Sequence, residues 1–206
     1  MYRPKPYVQD DLSVLHEIIR ERSFCVIAAA IGGDAQFAYA PVVLDPEGLR
    51  GGVRFHLAEA NPLAALDGAR VRLLWLGPDA YVSPDWYVSE GMVPTWNYIA
   101  IEGSGEMRRL DQGGLRRLLI DLSAAQEDRL LPKKPWTIDK VPEERMNALL
   151  NAIVGFSVSF ETLEGKLKLS QDKKMEDFEG VVRALEASGE ANAHGVAAAM
   201  RTARQF

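Results

Sequence analysis

Cysteine is almost missing from this chain: Cys25 is the only one in 206 residues. No internal disulfide can support the fold, and a reducing compartment is the expected setting. Cys25 lies in the apolar run Phe24–Ile31, which predicts a buried, inert thiol. Long hydrophobic runs are missing too. A bilayer span takes roughly 20 apolar residues, and this run is far shorter and follows a charged amphipathic stretch, unlike a secretory signal. A cytoplasmic protein with no membrane partner is expected. Positive charge is in deficit, with 24 Lys and Arg against 29 Asp and Glu for a net charge of −5. Nucleic-acid affinity rests on clustered cations, so the balance argues against direct DNA contact. Histidine is scarce and scattered, at His16, His56 and His194, without metal-ligand spacing. The P-loop, G-x-G-x-x-G, G-x-S-x-G and H-E-x-x-H patterns are all lacking, which removes the common nucleotide, hydrolase and metalloprotease signatures. Asp79, Asp85, Glu59 and Glu102 offer carboxylates for acid–base chemistry, but their spacing brings no two together.

What is present is an ordinary globular composition, 47% hydrophobic and 26% charged, with enough length to close a core. Leu12, Leu15, Ile18 and Ile19 share one face of a helix predicted over 10–23. Phe24–Ile31, the turn Gly32-Gly33-Asp34 and Gln36–Leu44 read as a hairpin, and Leu49–His56 as a third strand. Further strands are predicted at Val71–Leu76, stopped by Gly77-Pro78, at Thr95–Leu110, and at Ile153–Leu163. Helices are predicted at about 114–127, 143–150, 172–187 and 191–204. The expectation is a mainly β, α+β chain: a single six-stranded antiparallel barrel domain over 1–206, with a helical insertion at about 112–150 and a helical C-terminal segment at about 172–206. The last two helices invite comparison with a helix-turn-helix, but the second is mostly small residues, which predicts packing rather than base reading.

Three stretches carry chemistry. Residues 77–98 hold two of the four tryptophans and three of the six tyrosines, interleaved with Pro78, Pro84 and Pro94. Such a stiff aromatic segment suits the wall of a flat ligand, with Tyr81 and Trp96 against its rings and Ser83, Thr95 and Asn97 on its polar edge. Plugging a barrel end or a subunit interface is the alternative. In Glu164-Gly-Lys-Leu-Lys-Leu-Ser-Gln171, Lys166 and Lys168 alternate along an extended chain, with Ser170 and Gln171 next to them. Two ammonium groups on one side could hold a phosphate, or form a solvated strand end. His56–Pro62 marks a strand-to-helix junction, where backbone N–H groups attract anions. Asn61 there suits an N-cap.

Taken together, these segments resemble the PaiB-like, FMN-binding negative transcriptional regulator family, a branch of the flavin-binding split barrels related to pyridoxamine phosphate oxidase. The resemblance rests on Gly77-Pro78, Tyr81-Val-Ser-Pro84, Trp86-Tyr87, Val93-Pro-Thr-Trp-Asn-Tyr98, Pro135-Trp136, Ile153-Val-Gly-Phe156 and Lys168-Leu-Ser-Gln171, and it extends from Met1-Tyr-Arg-Pro4 to Ala199-Met-Arg201. It implies a six-stranded split barrel, a homodimer with sites between subunits, FMN as cofactor, and a cytoplasmic regulatory role. The implied cofactor contacts are His56, Tyr81, Ser83, Thr95, Trp96, Asn97, Lys166, Lys168, Ser170 and Gln171. At three positions the resemblance implies a basic or imidazole side chain where this sequence has an acid: Glu59, Asp79 and Glu102. A carboxylate about 4 Å from a phosphate charge costs roughly 4 kcal/mol at an effective dielectric near 20. Two alternatives follow: a flavin-free small-molecule binding protein or scaffold with an altered phosphate site, or an FMN-dependent oxidoreductase.

Overall fold

The computed structural model describes residues 1–203; residues 204–206 of the expected C-terminal segment lie outside the described residues. The chain runs through β1 (Val8–Gln9), α1 (Leu12–Glu21), β2 (Phe24–Ile31), β3 (Asp34–Asp45), β4 (Gly52–Ala58), β5 (Arg70–Val82), β6 (Thr95–Arg109), α2 (Gln112–Glu127), α3 (Glu143–Leu150), β7 (Ile153–Ser159), β8 (Thr162–Lys168), α4 (Met175–Glu186) and α5 (Ala191–Ala203). It is a mixed α+β fold with C-terminal helices. The strands correct the expected six-stranded split barrel. They are laid out as one eight-stranded sheet in the order β1-β8-β6-β5-β2-β3-β4-β7, with β7 also paired to β6.

Local chemistry explains the difference. Ile153–Leu163, expected as one strand, is interrupted after Ser159, where the Phe160 N–H donates to the Gly51 carbonyl (2.9 Å) and the Glu161 N–H to the Ser104 carbonyl (2.8 Å). The chain therefore leaves β7 before resuming as β8. Val8 and Gln9 pair with Lys166 and Gly165, which adds β1. Gly77-Pro78 does not stop β5. A Cβ at Gly77 would lie 2.7 Å from Ile99 Cβ, so the bare glycine permits a close approach inside the sheet instead of marking a turn.

The described residues form two compact units. The first comprises Met1–Asp11, Leu76–Ile101 and the chain from Glu164; the second comprises Leu12–Trp75 and Glu102–Leu163. In the second unit, β2 and β3 pair from Phe24 opposite Pro41 to Ile31 opposite Asp34, across Gly32 and Gly33, both at positive φ. The period of two sends Cys25, Ile27, Ala38 and Ala40 into the core and leaves Phe24, Phe37 and Tyr39 exposed. Trp75, Phe55, Phe156, Leu15 and Ile19 are fully buried there. The helical insertion adds its own cluster of Leu115, Leu118, Met146 and Leu150. The start of α2 is capped by Asp111, which accepts from the Gly114 N–H at 2.6 Å.

In the first unit, α4 buries Phe178, Val181, Val182 and Leu185, and α5 buries Ala193, Val196, Ala197 and Met200. The small residues of α5 permit a tight approach, since a Cβ on Gly195 would come within 3.0 Å of Pro78. Arg201 is tied to Glu186 (2.8 Å) and Glu179 (3.6 Å). This helix pair is a packing element. Among the described residues no helix is long and apolar enough to cross a membrane.

Candidate functional site

The first residues of β6 sort their side chains by the strand period. Asn97 is completely buried, Thr95 and Tyr98 are partly covered, and Trp96 is exposed. Trp96 meets Tyr81 of β5 edge to face, with centroids 6.1 Å apart and planes at 73°. Both rings remain open to solvent, at 52% and 44% exposure. An aromatic pair in water contributes little to folding compared with a buried one, and it offers a ready surface for a flat ligand.

Lys168, at the end of β8, adjoins this pair. Its ammonium donates to Thr95 Oγ1 (2.6 Å) and to the Trp96 carbonyl (2.5 Å), and lies 5.9 Å from the Tyr7 ring centroid. Burial pulls its pKa below the ordinary lysine value; Asp172 opposes this, while Lys173 and Lys166 add to it. Among the described residues Lys168 makes no salt bridge; neutral groups, two oxygens and the Tyr7 ring, surround it. Lys166 goes elsewhere, to the rings of Tyr98 (5.2 Å) and Tyr2 (5.5 Å), contacts of cation–π type.

A pocket of about 200 Å³ opens at Lys168, with Tyr7, Tyr87, Thr95, Asn97 and Lys173 in its lining and Gly91–Val93 along one side. The Tyr87 hydroxyl is buried with no hydrogen-bond partner in good geometry among the described residues. Burial raises its pKa, against the pull of Lys173 and Ser170. Tyr7 is also raised, by burial and by its hydrogen bond to Asp172, and Asp172 pairs with Lys173 at 3.1 Å. Small-molecule sites commonly enclose roughly 300–1,000 Å³. This pocket therefore suits the polar end of a ligand whose flat part rests outside it.

Several expected contacts are engaged within the protein. Asn97 Nδ2 donates to Ser170 Oγ (2.9 Å) and to Met200 Sδ (3.4 Å), and Ser170 Oγ donates back to Asn97 Oδ1 (3.2 Å). Ser170 is the non-glycine residue with φ at 60°, a left-handed conformation costing about 1–3 kcal/mol that its surroundings must hold. Gln171 accepts from the Leu169 N–H (2.7 Å) and donates to the Leu167 carbonyl (2.5 Å). Ser83 caps the short turn Pro84–Trp86 by accepting from the Asp85 N–H at 3.3 Å. These side chains shape the site more than they face a ligand.

The family model described as "Putative FMN-binding domain" matches residues 1–162. The chain belongs to this FMN-binding domain family. Its relative "Protease synthase and sporulation protein PAI 2" of Bacillus subtilis (strain 168) is 28% identical over 203 residues, covering 97% of this chain and 96% of that protein. The FAD and heme binding protein from Mycobacterium smegmatis shares its fold at a TM-score of 0.58 and 14% identity, covering 84% of this chain and 79% of that one. So does the flavocytochrome Anf3 from Azotobacter vinelandii, at 0.58 and 16%, covering 87% and 78%. The family resemblance read from the sequence holds.

In this FMN-binding domain family member, the match ends before β8 does. Lys166, Lys168, Ser170, Asp172 and Lys173 all lie beyond it, in the segment that completes the pocket. His56 belongs to the second unit, on β4 opposite Gly155 of β7. Its Nδ1 is buried without a partner among the described residues, and burial lowers its pKa. Two of the unexpected acids have arginine partners in that unit: Glu59 lies 3.6 Å from Arg109, and Glu102 pairs with Arg72. Asp79 is exposed on β5. Asn61 caps its short helical turn as expected, accepting from the Leu63 N–H at 3.0 Å. Sequence reasoning passed over Tyr7, Tyr87, Asp172 and Lys173 as site residues. Tyr87 was within reach of the aromatic count, whereas the other three come from chain ends that only the fold joins.

Proposed function

We propose that this protein binds FMN at the interface of a homodimer, in a regulatory role of the PaiB-like type exerted without direct DNA contact. One observation carries the reading: an exposed Tyr81–Trp96 pair whose tryptophan carbonyl is bonded to Lys168, an ammonium held by neutral oxygens. A flat ring with an anionic tail is the ligand that such a pair of features recognises. The ring lies on Tyr81 and Trp96, the Thr95 hydroxyl bonds its polar edge, and Lys168 takes the phosphate, while Lys166 stays on the Tyr2 and Tyr98 rings beside it. Ser83, Asn97, Ser170 and Gln171 hold these groups in place. When bound, FMN supplies hydride and electron transfer. The regulatory part is supported by the family resemblance and the dimer by the exposed face of Phe24, Phe37 and Tyr39 on β2 and β3, a surface suited to a second copy. The net charge of −5 and the buried faces of α4 and α5 speak against a DNA-reading helix.

The test is the absorbance spectrum of the purified protein, followed by FMN titration read by flavin fluorescence, with size-exclusion chromatography alongside. Saturable quenching by a dimer, with riboflavin binding more weakly because it lacks the phosphate, is the expected result. A colourless protein that leaves FMN fluorescence unchanged, or a stable monomer, overturns it.

A further inference from the structure

The pocket wall at Tyr87–Val93 has no regular structure of its own beyond the short turn before it, yet one side chain fixes its first part. Asp177, in the first turn of α4 and 97% covered by protein, accepts from the Val88 N–H (2.8 Å), the Ser89 N–H (2.8 Å) and the Ser89 hydroxyl (2.8 Å) through its two carboxylate oxygens. A buried carboxylate needs such donors, and a loop amide without an acceptor is costly, so each satisfies the other. The neighbouring turn of α4 is fitted to the same loop, since a Cβ on Gly180 would overlap the Trp86 carbonyl. Both contacts come from the chain beyond the family match at 162.

We propose that Asp177 is a positioning residue for the pocket: from α4 it clamps Val88 and Ser89, and so sets the wall on which the adjacent Tyr87 hydroxyl is presented beside Lys168 and Lys173. The three donors also hold the Asp177 carboxyl below its ordinary pKa, which keeps the clamp ionised at neutral pH.

Amide hydrogen exchange on the full chain without flavin tests this, comparing D177A, D177N and S89A with the parent. In D177A the Val88 and Ser89 amides exchange about tenfold faster or more, while the β2 and β3 amides keep their protection. D177N restores part of the protection, because its carboxamide oxygen still accepts from backbone N–H. S89A gives a smaller acceleration at the same residues. Unchanged exchange at Val88 and Ser89 in D177A overturns the proposal, as does an increase spread evenly through the molecule without rescue by D177N. Should D177A fail to fold, S89A decides, and unaltered exchange in that variant overturns the proposal. No flavin takes part, so this outcome is separate from that of the FMN titration.

Discussion

Strand β5 supplies one member to each of two aromatic pairs with nearly the same geometry. Trp75 meets Phe160 at 6.1 Å and 87°, and Tyr81 meets Trp96 at 6.1 Å and 73°. The surroundings are opposite. Trp75 is 1% exposed and Trp96 is 52% exposed. In the second unit Phe160 lies over Gly103, where a Cβ would come within 2.8 Å of the ring. The backbone there has been cleared to let the ring close on Trp75. In the first unit the corresponding faces are left to water, and the Lys168 ammonium is bonded to the Trp96 carbonyl. Ring geometry therefore does not distinguish a core contact from a binding surface; access to water does.

Trp75→Ala breaks the comparison hardest. It removes a fully buried indole, and the expected loss is about 3–5 kcal/mol in urea unfolding. Trp96→Ala is expected to cost under about 1 kcal/mol. Equal losses for the two would show that exposure does not separate their roles. Trp75→Phe sharpens the point, because the Trp75 Nε1 is buried without an acceptor among the described residues. Phenylalanine removes that unpaired donor and offsets part of the lost packing. Its cost should fall well below that of the alanine variant.

The ligand side of the comparison responds next. Lys168→Met is expected to weaken FMN binding by about 10–100-fold, the usual range for a charged hydrogen-bond partner. Trp96→Ala should weaken it by about threefold to tenfold, the range of one aromatic contact. Both are read by flavin fluorescence. Riboflavin binding should be insensitive to Lys168→Met and still sensitive to Trp96→Ala. The reverse pattern would place the ring at Lys168 and the phosphate elsewhere.

Much of this arrangement was legible in the sequence, for reasons that are local. The alternation in Phe24–Ile31 and Gln36–Leu44, with Gly32-Gly33 between them, specifies the β2–β3 hairpin. The crowding of aromatics into 77–98 marked the exposed pair, and the spacing of Lys166 and Lys168 marked the strand that carries the pocket lysine. What the sequence did not disclose is non-local. Gly77-Pro78 carries the signature of a turn, and only the presence of Ile99 against Gly77 explains a continuous strand. The interruption at Phe160 depends on acceptors at Gly51 and Ser104, far away along the chain. Nothing in the spacing of Tyr7, Asn97 and Lys168 tells that they share one pocket. The alternation of Lys166 and Lys168 also gave no sign that the first would turn to the Tyr2 and Tyr98 rings.

The last prediction extends the comparison to a titratable group in the second unit. His56 is held in β4 with Nδ1 buried and unpartnered among the described residues, and burial lowers its pKa from 6.5. The unfolded chain recovers an ordinary imidazole, so between the folded and unfolded pKa values it binds more protons than the folded protein. Stability is then complete above the unfolded value of about 6.5 and declines as the pH falls below it, levelling off once the folded pKa has been passed. Urea midpoints measured from about pH 7.5 down to about pH 5 should fall in the parent, and His56→Leu should remove that component while leaving the carboxylate-driven decline at lower pH. An identical pH dependence in the two proteins would mean that water reaches His56 as freely as it reaches Trp96. The difference in water access between the two units would then hold for rings and fail for this imidazole.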